Sequence, residues 1–409
     1  MIKSIDVAII GAGPYGLSLA SYLAESGVNF RIFGHPMETW RTQMPQGMFL
    51  KSEGFASTLY DPSAKCTLAR YCEEKDLPYA DIGKPVRLED FSAYGMEFQR
   101  RMVPQLEVRK VTGLTRAGSE FQLVLDDGES LLARKVVMAV GISHFSYLPP
   151  ALSGLPGHIV THSSNHHSLT QFKDREVVVI GGGASAVDVA ALLREQGALV
   201  QIFSRRPVEF HTPPGKLPRP FLDRLRAPST PVGAGWRSWF CTDAPLALYR
   251  LPQDLRIKIV RKHLGPAPGW FVRDKIEGHV PLHERTNLDE ISLAGDRAHL
   301  VFTNGDGGKK KITADHVIAG TGYRVDLNRI PFLNNDLIKQ IRCVEGSPVL
   351  STNFESSIPG VYFVGVAAAL SFGPLLRFAC GAKFAAPRLA RRLKRILPRT
   401  SVNGAAVNS

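Results

Sequence analysis

Val7-Ala8-Ile9-Ile10-Gly11-Ala12-Gly13-Pro14-Tyr15-Gly16 is the stretch on which the fold turns. An unbroken apolar run of this kind, rich in β-branched residues, marks a central parallel strand buried on both faces. The glycines that follow have separate tasks. The first turns the chain sharply, the second lets backbone approach a pyrophosphate, and the third lets helix and strand pack closely. The helix that opens there offers free N–H groups and a partial positive charge to phosphate. Leu17, Leu19, Ala20, Leu23 and Ala24 fall mainly on one face of that helix, and Ser26-Gly27 closes it. Val28-Asn29-Phe30-Arg31-Ile32-Phe33 then reads as the second strand of a βαβ unit.

The pattern returns. Val177-Val178-Val179-Ile180 precedes Gly181-Gly182-Gly183-Ala184-Ser185-Ala186, with Gly181 standing 170 residues after Gly11. Ala186 takes the third glycine's place, where a methyl still allows fairly close packing. The helix is expected from Ser185 to about Gln196, with Gly197 ending it, and Leu199–Phe203 forms the next strand. Ser204-Arg205-Arg206 follows. An acidic residue at such a strand end binds a ribose 2′-hydroxyl, whereas arginines suit a 2′-phosphate, which favours NADPH over NADH. The alternative is a solvated basic turn. The first unit departs from its own pattern, because Gly34-His35 stands where a ribose-binding acid is usual and Glu38 comes four positions late.

Two such sites point to electron transfer between FAD and a nicotinamide dinucleotide. Gly11, Gly13, Pro14, Tyr15 and Gly16 are the expected FAD contacts; Gly181, Gly183, Ala184, Ser185, Arg205 and Arg206 are those for NADPH. The expected fold is α/β, with two Rossmann-like dinucleotide-binding domains, parallel sheets and a helical and loop insert. Residues 1–150 with 321–400 make the FAD domain. Residues 152–320 make the NADPH domain, interrupted by an insert at about 207–290.

The 409 residues suffice for two domains, and 44% hydrophobic with 21% charged residues is a globular balance. No apolar run reaches the roughly 18 residues of a membrane span. The first strand begins within a few residues of Met1, leaving no room for a signal peptide, so the cytoplasm is the expected compartment. Cys66, Cys72, Cys241, Cys343 and Cys380 form no Cys-x-x-Cys pair, which removes a thiol relay and argues against zinc or iron–sulfur sites. The formal charge of +13 is accounted for by anionic cofactors and a solvated surface without nucleic acid. Lys309-Lys310-Lys311 reads as a hairpin tip. The last helix, from about Gly381, carries Lys383, Arg388, Arg391, Arg392, Lys394 and Arg395 around Leu389, Leu393 and Leu397. It reads as a solvated face, the alternatives being weak membrane-surface contact or a subunit interface. The tail 401–409 is expected to be disordered.

Between the motifs, Leu88 to about Val103 reads as a helix. Leu106–Val111, Phe121–Leu125 and Ser130–Val140 read as a meander leading back to the parallel sheet. Pro213-Pro214-Gly215 and Trp236-Arg237-Ser238-Trp239-Phe240 place the insert outside a simple sheet extension. An insert of this length suits the lid or wall of a substrate pocket, with an oligomer contact or surface elaboration as the alternative. The second domain resumes with Ile291-Ser292-Leu293, Ala298–Thr303 and Ile312, ending at Ala314–Thr321.

Further segments carry a resemblance to the class B flavoprotein monooxygenases: flavin-containing monooxygenases and their Baeyer–Villiger and ornithine- and lysine-N-hydroxylating relatives. His316-Val317-Ile318-Ala319-Gly320-Thr321-Gly322-Tyr323 resembles their strand and Thr-Gly-Tyr turn towards FAD. Leu155-Pro156-Gly157-His158-Ile159-Val160-Thr161-His162-Ser163-Ser164 is similar to their Phe-x-Gly-x-x-x-His fingerprint, with Leu155 for phenylalanine and one extra residue before His162. Gly360-Val361-Tyr362-Phe363-Val364-Gly365 resembles the late segment reaching the flavin, and Trp40-Arg41 a Trp-Arg pair after the first motif. The asparagine that flavin-containing monooxygenases place near the flavin is not evident around Phe49-Leu50-Lys51-Ser52. The resemblance adds Trp40, Arg41, His162, Ser163, Thr321, Gly322, Tyr323 and Gly365 as cofactor contacts.

It implies an FAD- and NADPH-dependent monooxygenase: NADPH reduces FAD, O₂ adds as a C4a-hydroperoxyflavin, and one oxygen atom enters a small substrate such as an amine, sulfide or heterocycle. The cofactor carries the chemistry while protein positions it and excludes water. No catalytic side chain is implied. His162, Ser163, Asn165, His166 and His167 read as a loop touching nicotinamide or ribose, alternatively as a structural loop; adjacent His166-His167 is poor spacing for a metal. Two other functions stand beside the first: an NAD(P)H:acceptor reductase without oxygen insertion, and a non-catalytic, redox-sensing flavoprotein.

Overall fold

A computed structural model describes residues 3–215, 220–263, 265 and 267–397; the expected disordered tail lies outside the described residues. In chain order the strands are β1 (Lys3–Ile10), β2 (Phe30–Phe33), β3 (Val111–Ala117), β4 (Glu120–Leu125), β5 (Ser130–Met138), β6 (Val160–His162), β7 (Glu176–Ile180), β8 (Leu199–Phe203), β9 (Leu282–His283), β10 (Asn287–Ala294), β11 (Arg297–Thr303), β12 (Lys309–Ala314), β13 (His316–Ala319), β14 (Cys343–Val344), β15 (Ser347–Pro348) and β16 (Val361–Phe363).

The apolar run before the first glycines becomes β1, buried from Ile5 to Ile10. It pairs in parallel with β2 on one side and β5 on the other, and β16 lies parallel beyond β5. Antiparallel β3 and β4 extend the same sheet from β5. The second sheet runs β6-β13-β7-β8-β9 with all its pairs parallel. A three-stranded antiparallel sheet, β10-β11-β12, packs against it, and Phe302 of β11 stacks on Phe203 of β8 at 3.9 Å between ring centroids. Such a pair contributes about 0.5–1.5 kcal/mol beyond its buried area. The architecture is therefore α/β with two Rossmann-like units, as the sequence implies.

Two expectations are corrected. The meander begins at Val111, not Leu106, because Gly118 at φ +63° makes the tight turn between β3 and β4. Residues ahead of it instead meet the edge of β2 through a bridge from Glu107 to Phe33. Lys309–Lys311 lie within β12, not at a hairpin tip. The turn falls at Asn304–Gly307, whose Gly307 N–H donates to Asn304 O, and Lys310 rests over the Phe203 ring.

The last helix, Ala382–Ile396, turns Ala385, Ala386, Leu389 and Leu393 inward and packs on the first-motif helix Pro14–Ala24. Lys383, Arg391, Lys394 and Arg395 are exposed on its outer side. The insert is helical among the described residues, with helices Phe221–Arg226, Trp236–Asp243, Pro245–Tyr249 and Gln253–Lys262. No described helix is long and apolar enough to cross a membrane.

Candidate dinucleotide sites and the clefts between them

Each glycine loop is built by the close approach of three backbone segments. Gly11 has φ +114°, and a Cβ there would lie 2.3 Å from the Ala139 carbonyl oxygen. Gly16 is as constrained, since its Cβ would fall 1.9 Å from Gly11 O. Gly13 is different: the nearest atom to an added Cβ is Trp40 Cζ3 at 3.8 Å, so its backbone faces open space. Gly13 also caps the helix Pro14–Ala24, and no side chain bonds the free N–H groups there. An open backbone beside an uncapped helix N-terminus fits a pyrophosphate. In the second loop Gly181 has φ +140°, and its Cβ would lie 2.4 Å from Gly320 O. Gly183 caps Ala184–Glu195, again without a side-chain cap. Both loops thus have the backbone geometry that their sequences imply, an uncapped helix N-terminus behind a glycine turn.

Around the first loop, Gly365 lies against the Tyr15 ring, and Tyr15 Oη donates to the carbonyls of Phe378 (2.7 Å) and Leu376 (3.1 Å). Tyr15 therefore fastens the C-terminal segment to the first motif, and burial raises its pKa well above the ordinary tyrosine value. Trp40 packs edge-on against Phe91 beside Gly13, while Arg41 is exposed and reaches Pro36 O at 3.3 Å. Glu38, the late acid, is engaged by Lys110 at 3.2 Å.

Around the second loop, His162 is buried and both ring nitrogens are used. Nδ1 accepts from Ser164 N–H at 3.1 Å, which leaves the proton on Nε2 to be donated to Gly322 O at 3.0 Å. Its ring meets Tyr323 edge-on, and burial lowers its pKa. His162 thus ties β6 to the Thr321-Gly322-Tyr323 turn. Thr321 donates to Tyr147 O. Ser163, Ser185 and Tyr323 come together in one narrow cleft, closed on the other side by Gln43, Met44, Pro45 and Met48 of the first unit. Arg205 and Arg206 are exposed just past the end of β8 and are not among the residues lining that cleft.

Two titratable groups that the sequence reading passed over sit where the units meet. Asp188, three residues after Ser185 and so on the same helical face, lines the narrow cleft. Its carboxyl makes no hydrogen bond among the described residues, and burial pushes its pKa up to about 7 against the pull of Lys51 and Lys275. Lys51 Nζ donates to Gly265 O at 3.2 Å, and burial, opposed by Asp188, brings its pKa down to about 8. A lone acid within Val187-Asp188-Val189-Ala190-Ala191-Leu192, an otherwise apolar run, was the signal available. Lys51 opens a second, wider cleft. Leu50, Lys51 and Glu53 form its floor on the first unit, and His211, Val232, Trp270 and Phe271 of the insert form the opposite wall, with Phe378. Desolvation and the nearby Lys51 lower the His211 pKa.

The sequence signature of the pyridine nucleotide-disulphide oxidoreductases matches residues 8–217. The chain belongs to that family. This family member is an oxidoreductase with FAD and NADP(H) as its dinucleotides. A ferredoxin–NADP reductase of Gluconacetobacter diazotrophicus is 28% identical over 371 residues, covering 89% of this chain and 84% of the relative. Among solved structures, an ornithine N-hydroxylase of Kutzneria sp. 744 superposes with a TM-score of 0.76 at 15% identity, covering 96% of this chain and 99% of the other. A flavin-containing monooxygenase of Stenotrophomonas maltophilia gives 0.66 at 19% identity, over 96% and 99%. The fold of this oxidoreductase is that of the flavin monooxygenases.

Proposed function

We propose that the protein is an FAD- and NADPH-dependent monooxygenase that inserts one atom of O₂ into a small substrate. The observation that carries this reading is the wider cleft, in which the insert walls off Leu50–Glu53 beneath Trp270 and Phe271. Oxygen insertion needs a compartment that admits a small molecule and limits water, and electron delivery to a protein acceptor does not. The absence of a Cys-x-x-Cys pair supports the same reading, because no thiol relay stands between cofactor and substrate. The proposed FAD domain is 1–150 with 321–400, and the proposed NADPH domain is 152–320.

FAD, when bound, would supply the redox chemistry that links NADPH to O₂. The chain's own residues do the rest. Gly13 and the helix N-terminus at Pro14 face the FAD pyrophosphate, Gly11 and Gly16 let the surrounding segments close up behind them, and Tyr15 locks Gly365 and the 376–378 segment beside it. Gly181, Gly183, Ala184 and Ser185 take the NADPH pyrophosphate, and the exposed Arg205 and Arg206 take its 2′-phosphate. His162 holds the Thr321–Tyr323 turn, and Trp40 borders the first loop. In the wider cleft Lys51 Nζ and His211 supply hydrogen-bonding groups to a substrate.

A second reading, transfer of electrons to a separate acceptor, is favoured by the ferredoxin–NADP reductase likeness over most of the chain. Rapid mixing separates the two. The purified protein is reduced anaerobically with NADPH and mixed with O₂ in the presence of NADP⁺. An absorbance transient distinct from oxidised and reduced flavin, lasting seconds, supports oxygen insertion. Immediate return to oxidised flavin with stoichiometric hydrogen peroxide supports the acceptor reductase. No reduction by NADPH overturns both.

A further inference from the structure

Large apolar side chains are seldom exposed on this protein, and those that are gather in one place. Five of the eight exposed large hydrophobics among the described residues fall between positions 222 and 255: Leu222, Leu225, Trp236, Trp239 and Leu255. Leu222 and Leu225 share one face of the helix Phe221–Arg226 and are 64% and 53% exposed. Trp236 and Trp239 follow on the next helix, 58% and 38% exposed, with their rings edge-on at 5.7 Å. The Trp236 indole N–H donates to Leu225 O at 3.2 Å, which joins the two helices. With its N–H satisfied by the neighbouring helix, the rest of the exposed Trp236 ring is hydrocarbon. Between the helices, Pro231, Val232 and Gly233 turn inward and line the wider cleft.

The chain around this patch is basic. Residues 220–263 hold eight Arg and Lys against three Asp. Arg226 and Arg237 are exposed on the patch helices themselves, and burial, with the nearby Arg237 charge, lowers the His263 pKa, which brings in the Lys262 end of Gln253–Lys262. Protruding tryptophan and leucine rimmed by arginine matches a bilayer interface, where indoles sit at headgroup level and cations meet anionic lipid. A symmetric second copy would bring the same basic rim, Arg226 and Arg237 included, against itself. The last helix offers the other basic surface, but its apolar stripe is already spent against Pro14–Ala24.

We infer that the outer face of the insert docks this protein on an anionic membrane surface, through Leu222, Leu225, Trp236 and Trp239 with Arg226 and Arg237. Docking there sets the inner wall of the same segment, and the cleft it lines, beside the lipid.

The full-length protein is floated with vesicles of phosphatidylcholine alone and of phosphatidylcholine with about one quarter phosphatidylserine. The expected result is at least a tenfold preference for the anionic vesicles, weakened by salt, with a blue shift of tryptophan emission on binding. W236S/W239S and, independently, L222S/L225S are expected to lower binding at least tenfold while melting temperature and flavin content stay at the parental level. R226E/R237E removes the anionic preference. If one apolar pair fails to fold, the other and the emission shift still decide the matter. The proposal is overturned by absence of binding to anionic vesicles, or by binding that survives these changes and is lost instead in K383E/R391E/K394E/R395E. It is overturned equally by self-association in light scattering, without lipid, that W236S/W239S abolishes, since the face then takes a second copy of the chain.

Discussion

The two dinucleotide units share the same backbone hydrogen bonds where strand meets helix, and part company in the placing of one methyl group. Gly11 N–H donates to Phe33 O at 2.8 Å, and Gly181 N–H to Phe203 O at 2.9 Å. Ala139 N–H donates to Ile10 O and Gly320 N–H to Ile180 O, each at 2.8 Å. Ala139 and Gly320 are thus equivalent residues at the ends of β5 and β13. In the first unit the helix contributes Gly16 and the strand end contributes Ala139; in the second the helix contributes Ala186 and the strand end contributes Gly320. One methyl occupies the contact in each. The third position of a glycine fingerprint is therefore a property of two segments, and an alanine there is matched by a glycine about 130 residues downstream.

Gly16→Ala is the severest way to break this correspondence. Its Cβ would meet the Gly11 carbonyl at 1.9 Å, a backbone atom with nowhere to move, since Gly11 is itself pressed on Ala139. Overpacking at such a point costs about 3 kcal/mol, and the protein is expected to lose its bound flavin. Flavin absorbance per protein and the melting temperature check this; parental flavin content would show that the loop can open. Gly320→Ala comes next. Its methyl would stand 2.5 Å from Ala186 Cβ and 2.7 Å from Ala186 Cα. The expected result is a roughly tenfold higher KM for NADPH at unchanged flavin content. Ala186→Gly in the same protein relieves the first contact but not the second, so recovery should be partial. A double variant no better than Gly320→Ala removes the exchange of methyls as an explanation.

The strand that follows each motif sharpens the contrast. β8 ends in exposed Arg205 and Arg206, whereas β2 ends in Gly34-His35, with the late Glu38 held by Lys110. Arg205→Ala with Arg206→Ala is expected to raise KM for NADPH about tenfold, the loss of about 1.4 kcal/mol of charge-assisted bonding, and to leave KM for NADH within about twofold. An unchanged KM for NADPH would return the arginines to the status of a solvated turn, and equal losses for both nucleotides would detach them from the 2′-phosphate.

Both βαβ units were legible because buried parallel strands and glycine turns are local, and each is written within some 30 residues. The Tyr15 anchor was only half legible. Its place in the motif marked it as a cofactor contact, but the carbonyls it holds, Leu376 and Phe378, come from the far end of the chain. Lys51 and Asp188 escaped notice because their meaning depends on burial at a junction between units. The insert's inner and outer walls were beyond reach for the same reason: no period in 207–290 separates Val232, which lines a cleft, from Trp236, which faces solvent.

The edge strands give the subtlest test. β16 and β6 occupy the same place beside β5 and β13, with Tyr362 and Phe363 in the first unit matched by Thr161 and His162 in the second. Behind β6 lies a chain of hydrogen bonds whose directions are fixed at both ends. His316 Nδ1–H donates to His158 O at 2.9 Å, so His316 Nε2 accepts from the Thr161 hydroxyl at 2.7 Å. Gln171 Nε2–H donates to His166 Nδ1 at 3.3 Å, so His166 Nε2–H donates to Thr161 Oγ1 at 2.6 Å. Every position is filled only while both imidazoles are neutral. Burial, with the neighbouring His316, brings the His166 pKa down to about 4, and burial lowers that of His316. A folded-state pKa below the ordinary value near 6.5 means that the unfolded chain binds the proton first. The stability these rings contribute is therefore complete above about pH 6.5 and is lost as pH falls towards 4. The expected outcome is a melting temperature flat from pH 8 to 7 that declines between pH 6.5 and 4, with His166→Gln making the decline shallower. Because the first unit has no imidazole at this edge, NADPH-driven reduction should fail at a higher pH than flavin retention does, and simultaneous loss of the two would place the acid-sensitive step elsewhere.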